Sequence, residues 1–459
     1  MGKTQLTLQE RAKKFSPRNT FGYTFYRMSQ IMSGYLVTYT TYYATDSLFL
    51  AAGMVGILLM VSKCFDGVTD LLAGWVLEHT NTKYGKARPF ILLGILSWIG
   101  MVMIFLTPAG LSTTGKLAWV FVFYTLDISV FQTLTNIADM PVIRRSIPDE
   151  TQKSRALGIA NIGTILVAML ISVPIPLILE RFGSGQSVWI GISVVYGIVG
   201  SVLSIVGFLC VREYSDEELV ELGVALKGET SKVGVKEMLS SIGNNRYFMV
   251  YLLLYALTSL VNSIASVSGT YYFSVNIGNL ALMSLTSLIG FVLYPLYLVY
   301  PKLIEKWGTA KFFQAVCVVG CVGYAIRGLA GANVPGLMAG TLISGFAAAT
   351  TLCYTLICMN CMTYGELKTG KSAEGAYAAG QNFVYKVVAG LGSAALGLLL
   401  AAGGYDGTLT TQPQSAYFMI NFVYNWFPLI AYLLSAVFVR YADPTKEIEK
   451  MQKEMRSNS

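Results

Sequence analysis

The chain has 459 residues, of which 54% are hydrophobic and only 13% charged, with a formal net charge of +8. Ordinary soluble domains are about 25% charged, so the composition excludes a soluble globular domain and describes a polytopic membrane protein. Of the 33 Lys and Arg residues, 27 fall in seven segments that would share one side of a bilayer; this asymmetry puts both termini in the cytoplasm and leaves no basic face for nucleic acid.

Apolar runs separated by turn or charge signals predict twelve spans. They lie at about 20–44, 49–78, 89–108, 116–143, 155–180, 187–211, 246–275, 281–303, 311–330, 335–364, 374–403 and 415–441. Each approaches or exceeds the ~20 apolar residues that cross a bilayer as a helix. Pro141, Pro174, Pro176 and Pro295 offer kink points. The segment before the first span, about 1–19, is basic and polar without the apolar core or cleavage site of a signal peptide, so the first helix is expected to stay as an anchor.

The first span carries a polar strip, Arg27, Ser29, Gln30 and Ser33, between Tyr26 and Tyr35. The second is the most informative stretch. Asp66 and Asp70 are one helical turn apart on one face, and Lys63 lies on nearly the same face. A charge at bilayer depth costs roughly 2.5–3.5 kcal/mol on insertion scales and faces a bundle interior or wet cavity. Adjacent carboxylates repel unless a cation or proton sits between them. A purely structural Lys63–Asp66 bridge would leave the second carboxylate uncompensated, so a cation site is the better reading. Asp66, Asp70, Thr69 and Asn136 supply the oxygens that Na⁺ would need, with Asp66 and Asp70 as its charged ligands; a proton would need one carboxylate only.

The fourth span brings Asp127, Asn136 and Asp139. The polar insertion 212–245, with Glu213, Asp216, Glu217, Glu218 and Glu221, divides the chain into six-span halves, 1–211 and 246–441, and a charged tail, 442–459, follows. The turns Lys83-Tyr84-Gly85-Lys86-Ala87-Arg88 and Lys306-Trp307-Gly308-Thr309-Ala310-Lys311 stand at matching places in the two halves. Two parallel six-span halves with a midplane substrate site form the major-facilitator arrangement. The expected fold is therefore an all-α integral membrane protein of twelve transmembrane helices in two six-helix halves.

In the eleventh span Gln381, Asn382 and Lys386 bring amides and an ammonium to mid-depth. Lys386 must meet a carboxylate, with Asp66, Asp70 and Asp139 as candidates, or an anionic ligand. Arg327, near the end of the ninth span, is expected to snorkel to the interface. Carboxylates, amides and aromatic rings suit a sugar, whose hydroxyls donate and accept while its apolar faces stack; Tyr26, Tyr354, Tyr377 and Tyr385 are the candidate faces. His79 is the only histidine, and most of the seven cysteines sit in apolar runs. No disulfide framework, metal centre or catalytic constellation follows, and Cys358-x-x-Cys361 reads as apolar filler.

Three stretches carry a resemblance that covers the chain from about Asn19 to Tyr441. They are Tyr42-Tyr43-Ala44-Thr45-Asp46, then Phe65-Asp66-Gly67-Val68-Thr69-Asp70 through Lys83-Tyr84-Gly85-Lys86-Ala87-Arg88-Pro89-Phe90, and Ala138-Asp139-Met140-Pro141. Tyr364-Gly365-Glu366 and Gln381-Asn382 through Lys386 echo the second half. On these residues the chain resembles the glycoside–pentoside–hexuronide:cation symporter family. The resemblance implies that Asp66 and Asp70 are coupling-cation carboxylates, with Asn136 and Thr69 beside them. It further implies that Asp139 binds sugar, that Lys386 links the cation and sugar sites, and that Lys63 stands in the place of an arginine.

The departures concern the sugar. Gln30 replaces an aspartate and Ile143 a stacking tryptophan of the melibiose-type members, and the arginine expected early in span five has no counterpart unless Asn161 or a neighbour takes its place. An acidic sugar is thereby permitted and melibiose disfavoured.

The expected function is import of a glycoside, pentoside or hexuronide with Na⁺ or H⁺ across the cytoplasmic membrane. Gln30, Asp139, Gln381, Asn382 and Lys386 hold the sugar, and Lys63 and Lys386 form the charge network. One chain is the working unit; its partners are the sugar, the cation and the bilayer, and it needs no cofactor beyond the coupling ion. The rivals are a lipid or lysolipid carrier, which needs a lateral apolar opening and a headgroup-sized polar pocket, and a non-transporting sensor, which would lack a coupling site.

Overall fold

Helix starts follow the local capping chemistry. Ser16, Ser112, Asp149 and Asn245 each accept a hydrogen bond from the amide three residues on, satisfying a donor that the first turn leaves orphaned. The computed structural model describes residues 15–222, 243, 245–293, 295–296, 299–369 and 374–457, without certain side chains inside the helices. Among these residues there is no strand, only the isolated bridge between Thr82 and Gly85.

The chain divides into two compact units, Met1–Gly228 and Glu229–Ser459. In the first, α1 is Pro17–Val37, α2 Ala52–His79, α3 Leu93–Phe105, α4 Thr113–Ser146, α5 Thr151–Phe182 and α6 Gln186–Cys210. In the second, α7 is Arg246–Asn276, α8 Ala281–Val292, α9 Thr309–Ala330, α10 Val334–Lys368, α11 Glu374–Ala402 and α12 covers 414–442. A short helix, Tyr300–Trp307, follows α8, and Thr445–Ser457 forms a helical tail.

Nine helices among the described residues are long and apolar enough to cross a membrane. Three expected spans, α1, α2 and α8, lie outside that set. The polar strip dilutes α1 and the eighth run breaks around Leu293 and Pro295, while α2 is one continuous helix, Ala52–His79, of which some side chains lie outside the described residues. Pro174 starts a new helical segment after the bend at Val173 in α5, whereas Pro141 sits inside α4 without ending it.

The first unit packs around Tyr23, Tyr26, Phe90, Ile91, Val142 and Ile143. There α1 crosses α6 so closely that a Cβ on Gly22 would lie 2.8 Å from the Cys210 Cβ, the small-residue contact by which membrane helices approach. The second unit has an aromatic core in which Phe248, Tyr251, Phe313, Tyr354 and Tyr377 are nearly or fully buried.

Four wide π turns interrupt the helices: Tyr43–Ser47, Leu126–Gln132, Tyr272–Asn276 and Phe422–Trp426. The first and third repeat one another 229 residues apart. Leu48 N donates to Tyr43 O and Ile277 N to Tyr272 O, each at 3.1 Å. In both units the same tyrosine reaches the end of the third helix: Tyr43 Oη donates to Phe105 O (2.9 Å) and Tyr272 Oη to Arg327 O (3.4 Å). At Thr350 the α10 helix instead resumes after a tight 3₁₀ turn, Gly345–Ala349.

The turn between α2 and α3 is held from the end of the first unit. Glu213, with its side chain 2% exposed, accepts the backbone amides of Lys86 (2.9 Å), Ala87 (3.0 Å) and Arg88, and the Arg145 Nε at 3.2 Å. The helix start at Arg88 lacks a side-chain cap of its own, so the carboxylate supplies the acceptor those amides need and also favours the positive end of the helix. From the sequence Glu213 reads only as part of an acidic insertion; its backbone partners lie about 125 residues away and Arg145 68 away.

Candidate functional site

The polar stripe of α2 faces α4. Lys63 Nζ lies 3.6 Å from Asp66 Oδ2, with the two side chains 22% and 13% exposed. Ser129 Oγ donates its proton to Asp66 Oδ1 or, at 3.2 Å, to Ser62 O. Ser62 Oγ in turn accepts from Thr125 at 2.9 Å. Asp66 is thus an ionic and hydrogen-bonded centre on a helix otherwise apolar on its other faces. Thr69 turns its hydroxyl back to Phe65 O (3.1 Å) and Asp66 O (3.2 Å), leaving oxygen lone pairs but no free proton. The side chain of Asp70 lies outside the described residues.

Neither Ser129 nor Ser62 was singled out from the sequence. Their signal was present: Ser62 precedes Asp66 by one turn and Thr125 precedes Ser129 by four residues, so two hydroxyl-bearing rungs can meet across adjacent helices.

A second centre joins α1 to α4. Arg27 Nη1 reaches Asp139 Oδ2 at 3.2 Å and the Tyr23 hydroxyl at 3.3 Å. The other carboxylate oxygen, Asp139 Oδ1, is buried without a hydrogen-bond partner, as is the amide nitrogen of Gln30, Nε2. Nearly all buried polar groups are satisfied by protein, water or ligand, so each of these two atoms has room for a polar partner. Asn136 is exposed on α4 and, with Gln30 and Ser33, lines a cavity of about 20 Å³. Asn161 is exposed on α5.

Within the second unit, Gln381, Asn382 and Lys386 lie on one helix, α11. Gln381 and Lys386 are half-buried and Asn382 is exposed. Lys386 is engaged in an interaction of its own.

Two expectations, on Arg327 and on the tyrosine faces, need correction. Arg327 does not snorkel: it is 6% exposed, with Nε 2.6 Å from Asn425 Oδ1, Nη2 3.0 Å from Tyr424 O, and its guanidinium 4.1 Å from the Tyr424 ring centroid. Polar and aromatic partners on α12 satisfy the planar cation in place. Tyr26, Tyr354 and Tyr377 offer no open ring face, since they are 1%, 4% and 1% exposed within the two cores; Tyr385, 54% exposed, is the one of the four that does. Ile143, 1% exposed, belongs to the core of its unit.

A lateral groove of about 630 Å³ opens on α1, α5 and α6, lined by apolar residues such as Met28, Val167, Leu170 and Phe182. Its only hydroxyl, that of Tyr196, is already given to Leu170 O at 2.7 Å.

A family model described as "MFS/sugar transport protein" matches residues 28–442. An isoprimeverose transporter of Lactiplantibacillus pentosus is 24% identical over 90% of this chain and 86% of its own. A glucuronide carrier protein homologue of Escherichia coli (strain K12) is 24% identical over 81% of this chain and 80% of its own. The crystal structure of a D-xylose–proton symporter covers 93% of this chain and 96% of its own at 13% identity, with a TM-score of 0.63. That of a nucleoside transporter covers 92% and 99% at 12% identity, with the same TM-score. At those identities the likeness is one of fold.

Proposed function

Because the chain belongs to the MFS/sugar transport protein family, and so is a multi-pass membrane transporter rather than an enzyme, we propose that it imports a glycoside, pentoside or hexuronide. Import is driven by a Na⁺ or H⁺ gradient through alternating access across the cytoplasmic membrane, with both termini in the cytoplasm and one chain as the working unit.

One observation carries the sugar reading: the orphaned pair Gln30 Nε2 and Asp139 Oδ1. A sugar hydroxyl donates and accepts at once, so sugar hydroxyls suit both an open donor and an open acceptor. Arg27 holds Asp139 through Oδ2 without using its second oxygen. Gln381, Asn382 and Lys386 are the sugar-binding groups of the second unit. The isoprimeverose transporter and glucuronide carrier among the relatives support a glycoside or an acidic sugar. The lateral groove favours no lipid carrier, because no headgroup-sized set of polar groups lines it.

Asp66 and Asp70, with Thr69 and Asn136, are the proposed cation ligands, and Lys63 keeps Asp66 compensated when the site is unloaded. Each ligand shifts the conformational equilibrium only by its differential affinity for the two states. Cation and sugar therefore tighten one another's binding by one common factor.

The test is uptake of a panel of neutral glycosides, pentosides and hexuronides into vesicles under an imposed Na⁺ or proton gradient. Gradient-driven uptake of one class, lost in Asp70→Asn, is the expected result. No uptake under either gradient overturns the reading.

A further inference from the structure

Asp127 is fully buried, at 0% exposure, on α4. Its carboxylate accepts from the Ser97 hydroxyl on α3 and, at 3.4 Å, from the Gln132 amide. Both donors are neutral, and among the described residues no cation lies within ion-pair distance of it. The charged and titratable groups around it are Lys63 and Asp66 on α2, already paired with one another, and Tyr124 on its own helix. It hydrogen-bonds none of the proposed cation ligands.

The placement is built rather than incidental. Asp127 lies in the π turn Leu126–Gln132. Residues five apart face one another in a π turn but not in an α turn, which is how Gln132 comes to donate to Asp127 while Ser129 still reaches Asp66. Ser97 and Gln132 also line the 20 Å³ cavity that holds Gln30, Ser33 and Asn136 on its wall. That volume admits one water, which needs two to four polar partners, and the wall offers more than enough, the orphaned Gln30 Nε2 among them. A water in that cavity would stand between the Gln30 amide and the two groups, Ser97 and Gln132, that hydrogen-bond Asp127.

An ionised carboxylate at this depth with neutral donors alone is the costly state, and the protonated acid is the affordable one. We propose that Asp127 is a proton-binding site separate from Asp66 and Asp70, loaded through a single water in the cavity beside Gln30. The proton comes from bulk water and adds to a carboxylate oxygen, changing the charge of the unit by one; no other bond is made or broken. The protonated acid keeps its O–H bond and donates it as a hydrogen bond to Ser97 Oγ, whose own hydroxyl proton turns toward the cavity. A sugar hydroxyl that takes the Gln30 amide removes that partner from the water and closes the route. This last link alone rests on the sugar reading.

The experiment is infrared spectroscopy of the full-length protein in lipid nanodiscs, without sugar, across a pH series. A protonated carboxylic acid carbonyl band is expected near neutral pH, lost in Asp127→Asn, kept in Asp66→Asn, and fading at alkaline pH. Ser97→Ala, which retains the acid but removes one hydrogen bond, is expected to move the band to higher frequency; it decides the matter should Asp127→Asn fail to fold. A band unchanged in Asp127→Asn, or unmoved by Ser97→Ala, or the absence of any acid band in the wild type, overturns the proposal. Because no sugar is present, failure of the uptake assay leaves this result standing, and the reverse holds as well.

Discussion

Gly85 and Glu213 occupy each other's space. A Cβ on Gly85 would lie 2.5 Å from Glu213 Oε2 and 2.7 Å from its carboxyl carbon, and Gly85 has φ +120°. Any side chain there meets both a backbone penalty of about 1–3 kcal/mol and the carboxylate that caps the next helix. Gly85→Ala should therefore lower the melting temperature in detergent by several degrees. Glu213→Gln should also lower it, since its single amide oxygen can still accept from Ala87 and Arg88 while the Lys86 amide and Arg145 lose their acceptor. Equal melting of Gly85→Ala and wild type would refute the clamp.

Coupling should fail first at the α2 stripe. Asp70→Asn should abolish uphill accumulation while sparing sugar exchange at equal concentrations. Ser129→Ala removes a hydrogen bond to a charged group, worth about 1.5–3 kcal/mol, and should weaken cation activation tenfold or more without changing the sugar specificity. Cation dependence of counterflow in vesicles measures both; unaltered cation activation in Ser129→Ala would separate that hydroxyl from the site.

Arg27 and Asp139 should show strong coupling in a double-mutant cycle. Both side chains keep about a quarter of their surface exposed, 25% and 23%, so losing one partner should cost roughly 1–3 kcal/mol of stability, less than for a wholly buried pair. The double variant Arg27→Ala with Asp139→Ala should be less destabilised than the sum of the singles. Asp139→Ala should also abolish sugar binding measured by calorimetry on the purified carrier, whatever the driving cation.

Arg327→Lys keeps the charge but cannot span Asn425 Oδ1 and Tyr424 O together. A stranded buried acceptor costs about 1–3 kcal/mol, so the variant should melt a few degrees lower, with Asn425→Ala showing a similar loss. If Arg327→Lys melts as the wild type does, the guanidinium does not tie α9 to α12.

The helical runs were legible because bilayer-length apolar stretches end where charge or turn residues begin. The pairing of Lys63 with Asp66, weighed from the sequence only as the rival of a cation site, is local to one turn. What escaped the sequence has two physical causes. Partners such as Asn425 for Arg327, or the 86–88 amides for Glu213, lie about 100 or more residues away, and nothing in the intervening residues encodes the meeting. Tyr354 and Tyr377 have the composition of ligand-stacking rings, but the second unit uses them to fill its core. Burial depends on the whole helix packing and not on the residue's own neighbours in sequence.

The wide turn at Leu126–Gln132 and the tight one at Gly345–Ala349 stand on the fourth helices of their respective units. A π turn accommodates more residues than an α turn and a 3₁₀ turn fewer, so matched positions before the two turns fall out of phase after them. A residue-by-residue superposition of the halves must therefore change register in mid-helix. An ungapped alignment would set Asp139 and Pro141 against residues that point elsewhere, and would hide whatever ancestry the two halves share in that helix.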